Sequence, residues 1–301
     1  MLPLEAVPNV SEGRDPAVVG ELARAFATRA RLLDVHSDVD HHRSVFTLVG
    51  DDDGLVESLV AGIARARELI DLTRHDGVHP RVGAADVVPL VPVVPEDLER
   101  AKRAALSLAE RVGEELGLPV FLYGAVGDGR RPAFFRLGGT EALQGRIDAG
   151  ELRPDFGPQR LDPRAGAVLV GARPPLVAFN VELATTDVEV ARAVAAVVRE
   201  TGGGLPGVQA LGLELPRTRR VQVSMNVEDW RSAPLHEVVA RVETEAAAHG
   251  VAVAGGELVG LLPAGAALAA AAPALRLSEL GAARVLELRL LEGLAETSEG
   301  V

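Results

Sequence analysis

The order of hydrophobic periodicities constrains the fold of this chain most, because one succession of strands and helices occurs twice. In the first half, strand patterns and two helical patterns alternate as β-α-β-β-α-β, with strands at 5–10, 31–37, 44–49 and 87–93. Asp15 is the predicted N-cap of the first helix, and the second begins beyond three acids at 51–53 that suit its dipole. The same order returns in strands at 176–183, 208–215, 220–227 and 251–262 and in helices at 187–200 and 234–249. The repeat predicts an α/β (α+β) protein of two ferredoxin-like βαββαβ subdomains with mixed sheets and a ligand cleft between them.

An insertion separates the two halves. It is predicted to hold a helix at 96–116, a strand at 119–125 and a turn-rich segment at 127–173. We therefore expect an N-terminal subdomain at 1–173, a C-terminal subdomain at 174–268 and a helical tail at 269–301. Pro89 and Pro92 favour an edge position or an irregular ladder for the strand that carries them.

Composition excludes several classes of function. The formal charge of −12 and the lack of a basic stripe argue against nucleic acid and anionic lipid as partners. There is no cysteine, and the one lysine, Lys102, lies in a helical pattern, which removes thiolate, Schiff-base and Walker-type chemistry. The acidic start does not resemble a signal peptide, and the alanine-rich stretch 261–275 is too short for a bilayer span, so we expect a buried helix there and a cytoplasmic protein.

The segment 74–86, called the histidine loop below, places two imidazoles between a helix and a strand. His75 and His79 have the i, i+4 spacing of a helical zinc pair, but Gly77 and Pro80 break the helix that this reading needs. The loop therefore predicts an exposed imidazole at His79 positioned for proton transfer, with Arg81 beside it to hold an anion. A hydrogen-bonded structural histidine is the alternative.

A second group of histidines lies in the hairpin turn HSDVDHH, residues 36–42. His36, His41 and His42 together with nearby aspartates could form a zinc or iron site, or they could belong to a solvated turn. An intermediate interpretation is favoured, in which one or two of them line the same cleft as His79 without a metal. Asn9 lies in VPNVSEGR (7–14), which either faces that cleft or only forms the entry to the first helix.

Nine blocks in a fixed order resemble the glutamate formiminotransferases. They are VPNVSEGR (7–14), LLDVHSDVDHHRSVFTLVG (32–50), LIDLTRHDGVHPRVGAADVVPLVPV (69–93), VFLYG (120–124), PDFGP (154–158), VGARPPLVAFNVEL (170–183), VQALG (208–212), QVSMN (222–226) and ELVGLLP (257–263). The resemblance covers nearly the whole chain and implies two similar subdomains that enclose a folate-binding channel. Animal members carry a fused cyclodeaminase domain, for which 301 residues are expected to leave no room.

The resemblance implies transfer of a formimino group from N-formimino-L-glutamate to tetrahydrofolate, which gives 5-formiminotetrahydrofolate and L-glutamate in histidine degradation. The second histidine of the HPR loop, here His79, is the family's catalytic residue. The family's folate-contacting segment corresponds to Gly157, Pro158, Gln159, Arg160, Leu161, Asp162, Pro163, Arg164, Ala165 and Gly166. Arg43, Arg81 and Arg164 are candidate carboxylate clamps, and Asn9 and His36 are further candidate binding residues.

Three positions differ from the animal members. This chain has Asp76 and Val78 where those members carry Lys and Glu, and His36 where they carry Asp. The differences leave the identity of the one-carbon donor open.

Three functions are therefore compared. The first is the transferase, with tetrahydrofolate as co-substrate, formiminoglutamate as donor and no metal. The second is a metal-dependent amide or amidine hydrolase built on His36, His41 and His42, and the third is a folate-binding protein without catalysis. The expected partners are these small molecules, with a homodimer as the assembly to test against a monomer.

Overall fold

The computed structural model describes residues 2–291, so that the last ten residues of the expected tail lie outside the described residues. The chain divides into two compact units. The first is Met1–Pro175 with Leu215–Thr218, and the second is Leu176–Glu214 with Arg219–Val301.

The first unit is built on one sheet and five helices among its described residues. Its strands are β1 (Leu4–Ala6), β2 (Asn9–Val10), β3 (Arg31–Asp38), β4 (Arg43–Gly50), β5 (Ala85–Pro92), β6 (Val120–Gly124) and β7 (Val168–Ala172). Its helices are α1 (Pro16–Phe26), α2 (Asp52–Leu69), α3 (Leu98–Glu115), α4 (Pro132–Arg136) and α5 (Gly139–Asp148). Asp15 caps α1 with its side chain, as the sequence predicts, and Asp51 caps α2 in the same way.

The sheet of the first unit confirms the ferredoxin-like prediction and extends it. The short strands β1 and β2 act as one interrupted strand between β4 and β5, and β3 pairs with β4 at one side. The order across this part of the sheet is β5, then β1 and β2 as one strand, then β4 and β3. Numbered as four strands along the chain, this is the 4-1-3-2 arrangement of a split β-α-β fold. On the other side β7 pairs in parallel with β5, and β6 pairs in parallel with β7, which makes the sheet mixed.

Strand β5 is an interior strand, so the edge position suggested by its prolines is wrong and the irregular ladder is confirmed. All eight of its residues are buried. Pro89 lies opposite the break between β1 and β2, where its carbonyl oxygen accepts a hydrogen bond from the amide of Val7 at 3.2 Å. An interior strand tolerates this proline because the neighbouring strand is interrupted at the position where the amide is lacking.

The segment 127–173 is more regular than predicted. It contains the short helix α4, the three-turn helix α5 and the buried strand β7. The glycines and prolines of this segment predict turns, and its helices and strand are too short to display a clear hydrophobic period.

The second unit has the predicted topology in an antiparallel form. Its strands are β8 (Val177–Leu183), β9 (Val208–Leu215), β10 (Arg220–Val227) and β11 (Val253–Val259), and its helices are α6 (Val188–Val198), α7 (Leu235–Ala248) and α8 (Ala264–Ala274). The strand order is β11-β8-β10-β9, with β8 antiparallel to both β10 and β11. This is again the ferredoxin-like order.

Helix α8 corrects the expectation of a buried alanine-rich helix. Only Ala266 and Ala272 are buried in it, and the rest of its residues are partly or fully exposed. In the described part of the tail, Leu286, Leu290 and Leu291 are exposed. Within residues 2–291 we find no helix that combines the length and the apolar character needed to span a bilayer.

The two faces of the first sheet carry different cores. Helices α1, α2 and α3 cover one face, where Phe26, Phe46 and Leu48 are fully buried. On the other face, Phe135 of α4 packs against Phe121 of β6, with ring centroids 5.2 Å apart.

Gly62→Ala is expected to lower the free energy of unfolding by about 1 to 3 kcal/mol, the range for overpacked cores. A Cβ atom at Gly62 of α2 would lie 2.0 Å from the buried ring of Phe26 in α1, so the two helices would have to move apart. Urea denaturation measures the change. Gly20→Ala is the control, because only the Arg24 side chain approaches at 3.7 Å there; equal stability of the two variants would contradict this packing.

Candidate active site

Three candidate residues lie on the face of the first sheet away from α1, α2 and α3. Asn9 of β2 and His36 of β3 both pair with Val45 of β4, so the pleat directs all three side chains to the same face. Arg43 lies two residues before Val45 on β4 and shares that face. The guanidinium of Arg43 donates a short hydrogen bond to Oδ1 of Asn9, which brings these two candidates together.

The histidine loop is irregular, as predicted. After a single 3-10 turn at Leu72–Arg74 the chain has no regular element until β5 begins, so His75 and His79 do not share a helical face. Arg81 holds this conformation, because its guanidinium donates to the carbonyl oxygens of His41 at 3.1 Å, Gly77 at 3.0 Å and His79 at 3.1 Å. Most of the hydrogen-bond donors of Arg81 therefore hold the conformation of the histidine loop.

His79 is half-buried, so the expectation of an exposed imidazole is wrong, and its ring is held from two sides. Nδ1 lies 2.8 Å from the carbonyl oxygen of Pro80, and Nη1 of Arg43 lies 2.8 Å from the ring nitrogens. Because a carbonyl only accepts a hydrogen bond, we assign a neutral ring with its proton on Nδ1 and with Nε2 unprotonated. Nη1 of Arg43 is equally far from both ring nitrogens, so it contacts the ring as a whole and is not aligned with the lone pair of Nε2.

The surroundings of His79 disfavour its charged form. Burial has the largest effect, followed by the positive charges of Arg43 and Arg136 and by His41, and together they hold the pKa of His79 well below its ordinary value of 6.5. His41 packs near it, with ring centroids 5.7 Å apart. At neutral pH the ring is thus a proton acceptor.

His42 of the hairpin turn and His75 of the histidine loop make mainly structural contacts. The rings of His42 and His75 stack with centroids 4.1 Å apart, Nδ1 of His42 accepts from the amide of Gly13 at 3.2 Å, and Nε2 of His75 lies 3.0 Å from the carbonyl oxygen of His42. Burial and the charge of Arg81 lower the pKa of His75 to about 4. Across residues 2–291, no three His, Asp or Glu side chains come together as a metal site would require.

Two site residues were not predicted from the sequence. Arg136, the last residue of α4, donates to Oδ2 of the buried Asp86 at 2.5 Å, and Oδ1 of Asp86 accepts from the amide of Val82 at 2.8 Å. The pair fixes α4 to the histidine loop. Arg43 and Arg136 are close enough that burial, together with the repulsion of Arg136, lowers the pKa of Arg43 to about 9.

The segment 157–166, called the acceptor segment below, is hydrogen-bonded to the histidine loop. The amide of Ala84 donates to Ala165 at 2.8 Å, and the amide of Ala167 donates to Val82 at 2.9 Å. Asp162 closes the segment by accepting from the amides of Arg164 at 2.9 Å and Ala165 at 3.0 Å. Four consecutive residues before this turn are exposed: Gly157, Pro158, Gln159 and Arg160.

Arg164 points away from this joint. Its side chain is 58% exposed and pairs with Asp71 at 3.2 Å. In VPNVSEGR, Glu12 acts as a helix-entry residue that accepts from the amides of Arg14 and Asp15. Ser11 instead donates to the carbonyl oxygen of Gly83 in the histidine loop at 2.7 Å.

These features define an α/β protein with a loop rich in histidine and arginine on a ferredoxin-like unit. Comparison with known proteins then assigns the family. The model of the formiminotransferase domain, N-terminal subdomain, matches residues 3–173, and the model of the formiminotransferase domain matches residues 178–280. The chain belongs to the formiminotransferase family.

Several curated proteins are similar to this chain. A glutamate formimidoyltransferase of Thermoplasma acidophilum is 39% identical over 95% of this chain and 97% of its own length. A glutamate formimidoyltransferase of Streptococcus pyogenes is 39% identical over 87% and 89%. The formimidoyltransferase-cyclodeaminase of Gallus gallus is 41% identical over 89% of this chain, which corresponds to 51% of its own length.

Proposed function

We propose that this protein transfers the formimino group of N-formimino-L-glutamate to N5 of tetrahydrofolate, with His79 as the general base and then the general acid. The observation that carries this proposal is the neutral imidazole of His79, fixed three residues before the backbone that joins the acceptor segment. The family membership and the names of the relatives support the choice of reaction. The metal-dependent hydrolase has no such support.

The reaction needs one proton acceptor and one proton donor. The folate amine attacks the amidine carbon, a C–N bond forms, and the amine proton passes to Nε2 of His79. The tetrahedral intermediate then collapses, the C–N bond to the glutamate nitrogen breaks, and the imidazolium returns the proton to that nitrogen. Because the pKa of His79 is low, its imidazolium is a strong acid toward the departing amine.

The groups around His79 have separate tasks in this proposal. The Nδ1–H to Pro80 bond fixes the ring orientation, and Arg81 holds the loop that carries the ring. The exposed residues of the acceptor segment bind the folate. Arg43 and Asn9 face the donor substrate.

A coupled assay tests the function. Purified protein, N-formimino-L-glutamate and tetrahydrofolate should give 5-formiminotetrahydrofolate and L-glutamate in equal amounts. Glutamate release that does not require folate would indicate the hydrolase. Folate binding without consumption of formiminoglutamate would indicate a binding protein.

Asp162→Ala is expected to raise KM for tetrahydrofolate by about 5- to 30-fold, because the variant lacks two hydrogen bonds worth about 1 kcal/mol each. The value of kcat should change less, since the histidine loop is intact. Asp162→Asn keeps an acceptor oxygen and should restore most of the affinity, and Glu151→Ala removes an exposed acid nearby as a control. If the KM for tetrahydrofolate in Asp162→Ala equals that of the unchanged protein, the acceptor segment does not bind folate.

A further inference from the structure

Two buried guanidinium groups near His79 have donors without acceptors. Nε of Arg43 and Nε of Arg136 are both inaccessible to solvent, and within residues 2–291 neither has a hydrogen-bond partner. An unsatisfied buried donor on a cation is costly, so two at one place indicate a site built for an anion.

The charge balance of the cluster points the same way. Arg43 and Arg136 act on the ring of His79, Arg81 donates to the His79 carbonyl oxygen, and Asp86 forms an ion pair with Arg136. Arg81 is engaged with loop carbonyls. Asp86 acts on the charge of Arg43 but forms its ion pair with Arg136, and within residues 2–291 no carboxylate forms an ion pair with Arg43. A planar guanidinium is suited to bind one.

We propose that Arg43 and Arg136 together bind a carboxylate of the donor substrate, that Asp86 positions Arg136 for this, and that the bound carboxylate draws Arg43 away from the ring of His79. This inference rests on the proposed function for the identity of the substrate, but not for the carboxylate site itself. In the unliganded protein Nη1 of Arg43 lies 2.8 Å from both ring nitrogens, including the one that has to accept a proton. The ring of His79 therefore becomes free to accept a proton only when the donor substrate is bound.

The groups that face His79 set the direction of the effect. Arg43 comes from β4, Arg136 from α4 and His41 from the hairpin turn, and all three favour the neutral ring. A carboxylate at Arg43 and Arg136 adds a negative charge and draws the positive charge of Arg43 away from the ring. Both changes favour the imidazolium, so anion binding must raise the pKa of His79.

Glutarate is a suitable probe, because it has both carboxylates of the donor but neither its nitrogen nor a formimino group. The pKa of His79 is measured by NMR with and without glutarate in the full-length protein, and the dissociation constant by calorimetry. We expect glutarate to bind and to raise the pKa of His79. In Arg136→Gln the affinity should fall by about 10- to 100-fold, the effect of a lost charge-assisted hydrogen bond.

The control variants separate binding from folding. Arg136→Gln leaves Asp86 buried without a cation, so Asp86→Asn/Arg136→Gln, which replaces the pair by two amides, is measured beside it. Arg130→Gln removes an exposed arginine that stacks on Phe134 and should bind glutarate normally. Unchanged affinity in both Arg136 variants, or binding of glutarate without a rise in the pKa of His79, overturns the proposal. The titration contains no folate and no formimino donor, so its outcome is independent of whether the coupled assay detects transfer.

Discussion

His79→Asn is expected to lower kcat by about 100- to 10,000-fold, the usual contribution of general acid–base catalysis. The side-chain amide of asparagine can take the place of Nδ1–H and donate to the carbonyl oxygen of Pro80, so the loop should keep its conformation. What the variant lacks is the nitrogen that takes and returns the proton. The KM values for both substrates should therefore change much less than kcat.

The control for this variant is His249→Asn. His249 is exposed and follows α7 in the second unit. Its kcat should equal that of the unchanged protein, and denaturation by urea should show that both variants are folded. If His79→Asn turns over at the normal rate, His79 has no part in the proton transfer.

Gly83→Ala is the second substitution with a large expected effect. A Cβ atom at Gly83 would lie 1.9 Å from the carbonyl oxygen of Ala167 and 2.7 Å from that of Ala85, and both are backbone atoms that cannot rotate away. The histidine loop and the acceptor segment must then separate, with loss of the hydrogen bonds between Ala84 and Ala165 and between Val82 and Ala167. We expect a loss of about 2 to 4 kcal/mol in the free energy of unfolding.

The same substitution should reduce catalysis in the molecules that remain folded. A shift of about 1 Å between reacting groups can cost about 100-fold in rate. We expect kcat/KM to fall by that order for both substrates, measured at a urea-free condition where the variant is folded. Gly145→Ala in α5 has open space at its Cβ position and should be at least as stable as the unchanged protein. Normal stability and activity in Gly83→Ala would show that the two segments are not coupled.

The repeated topology could be predicted from the sequence, because its strands and helices are long enough to display their periods. The cap of α1 was also predictable, because Asp15 is followed by a proline at the first helical position. The interior position of β5 could not be predicted, because the feature that accommodates Pro89 is a break in the neighbouring strand. That break depends on pairing between distant residues.

The site was predictable only in part. Gly77 and Pro80 exclude a helix in the histidine loop, which singles out His79, and the hairpin turn does bring His41 and Arg43 next to it. Arg136 could not be predicted as a site residue, because α4 has five residues and cannot show a helical period. Pro132 at its first turn, followed by Phe135 and Arg136, was the one available signal. Only the packing of Phe135 on Phe121 determines that Arg136 reaches Asp86.

The central claim is that His79 is a neutral base that carries its proton on Nδ1 in the unliganded protein. Nitrogen-15 NMR of the histidine rings tests it directly, because the two neutral tautomers and the imidazolium have different chemical shifts. At pH 6.5 the account predicts a neutral His79 protonated on Nδ1, with conversion to the imidazolium only at clearly lower pH. An imidazolium at pH 6.5, or a neutral ring protonated on Nε2, would contradict it.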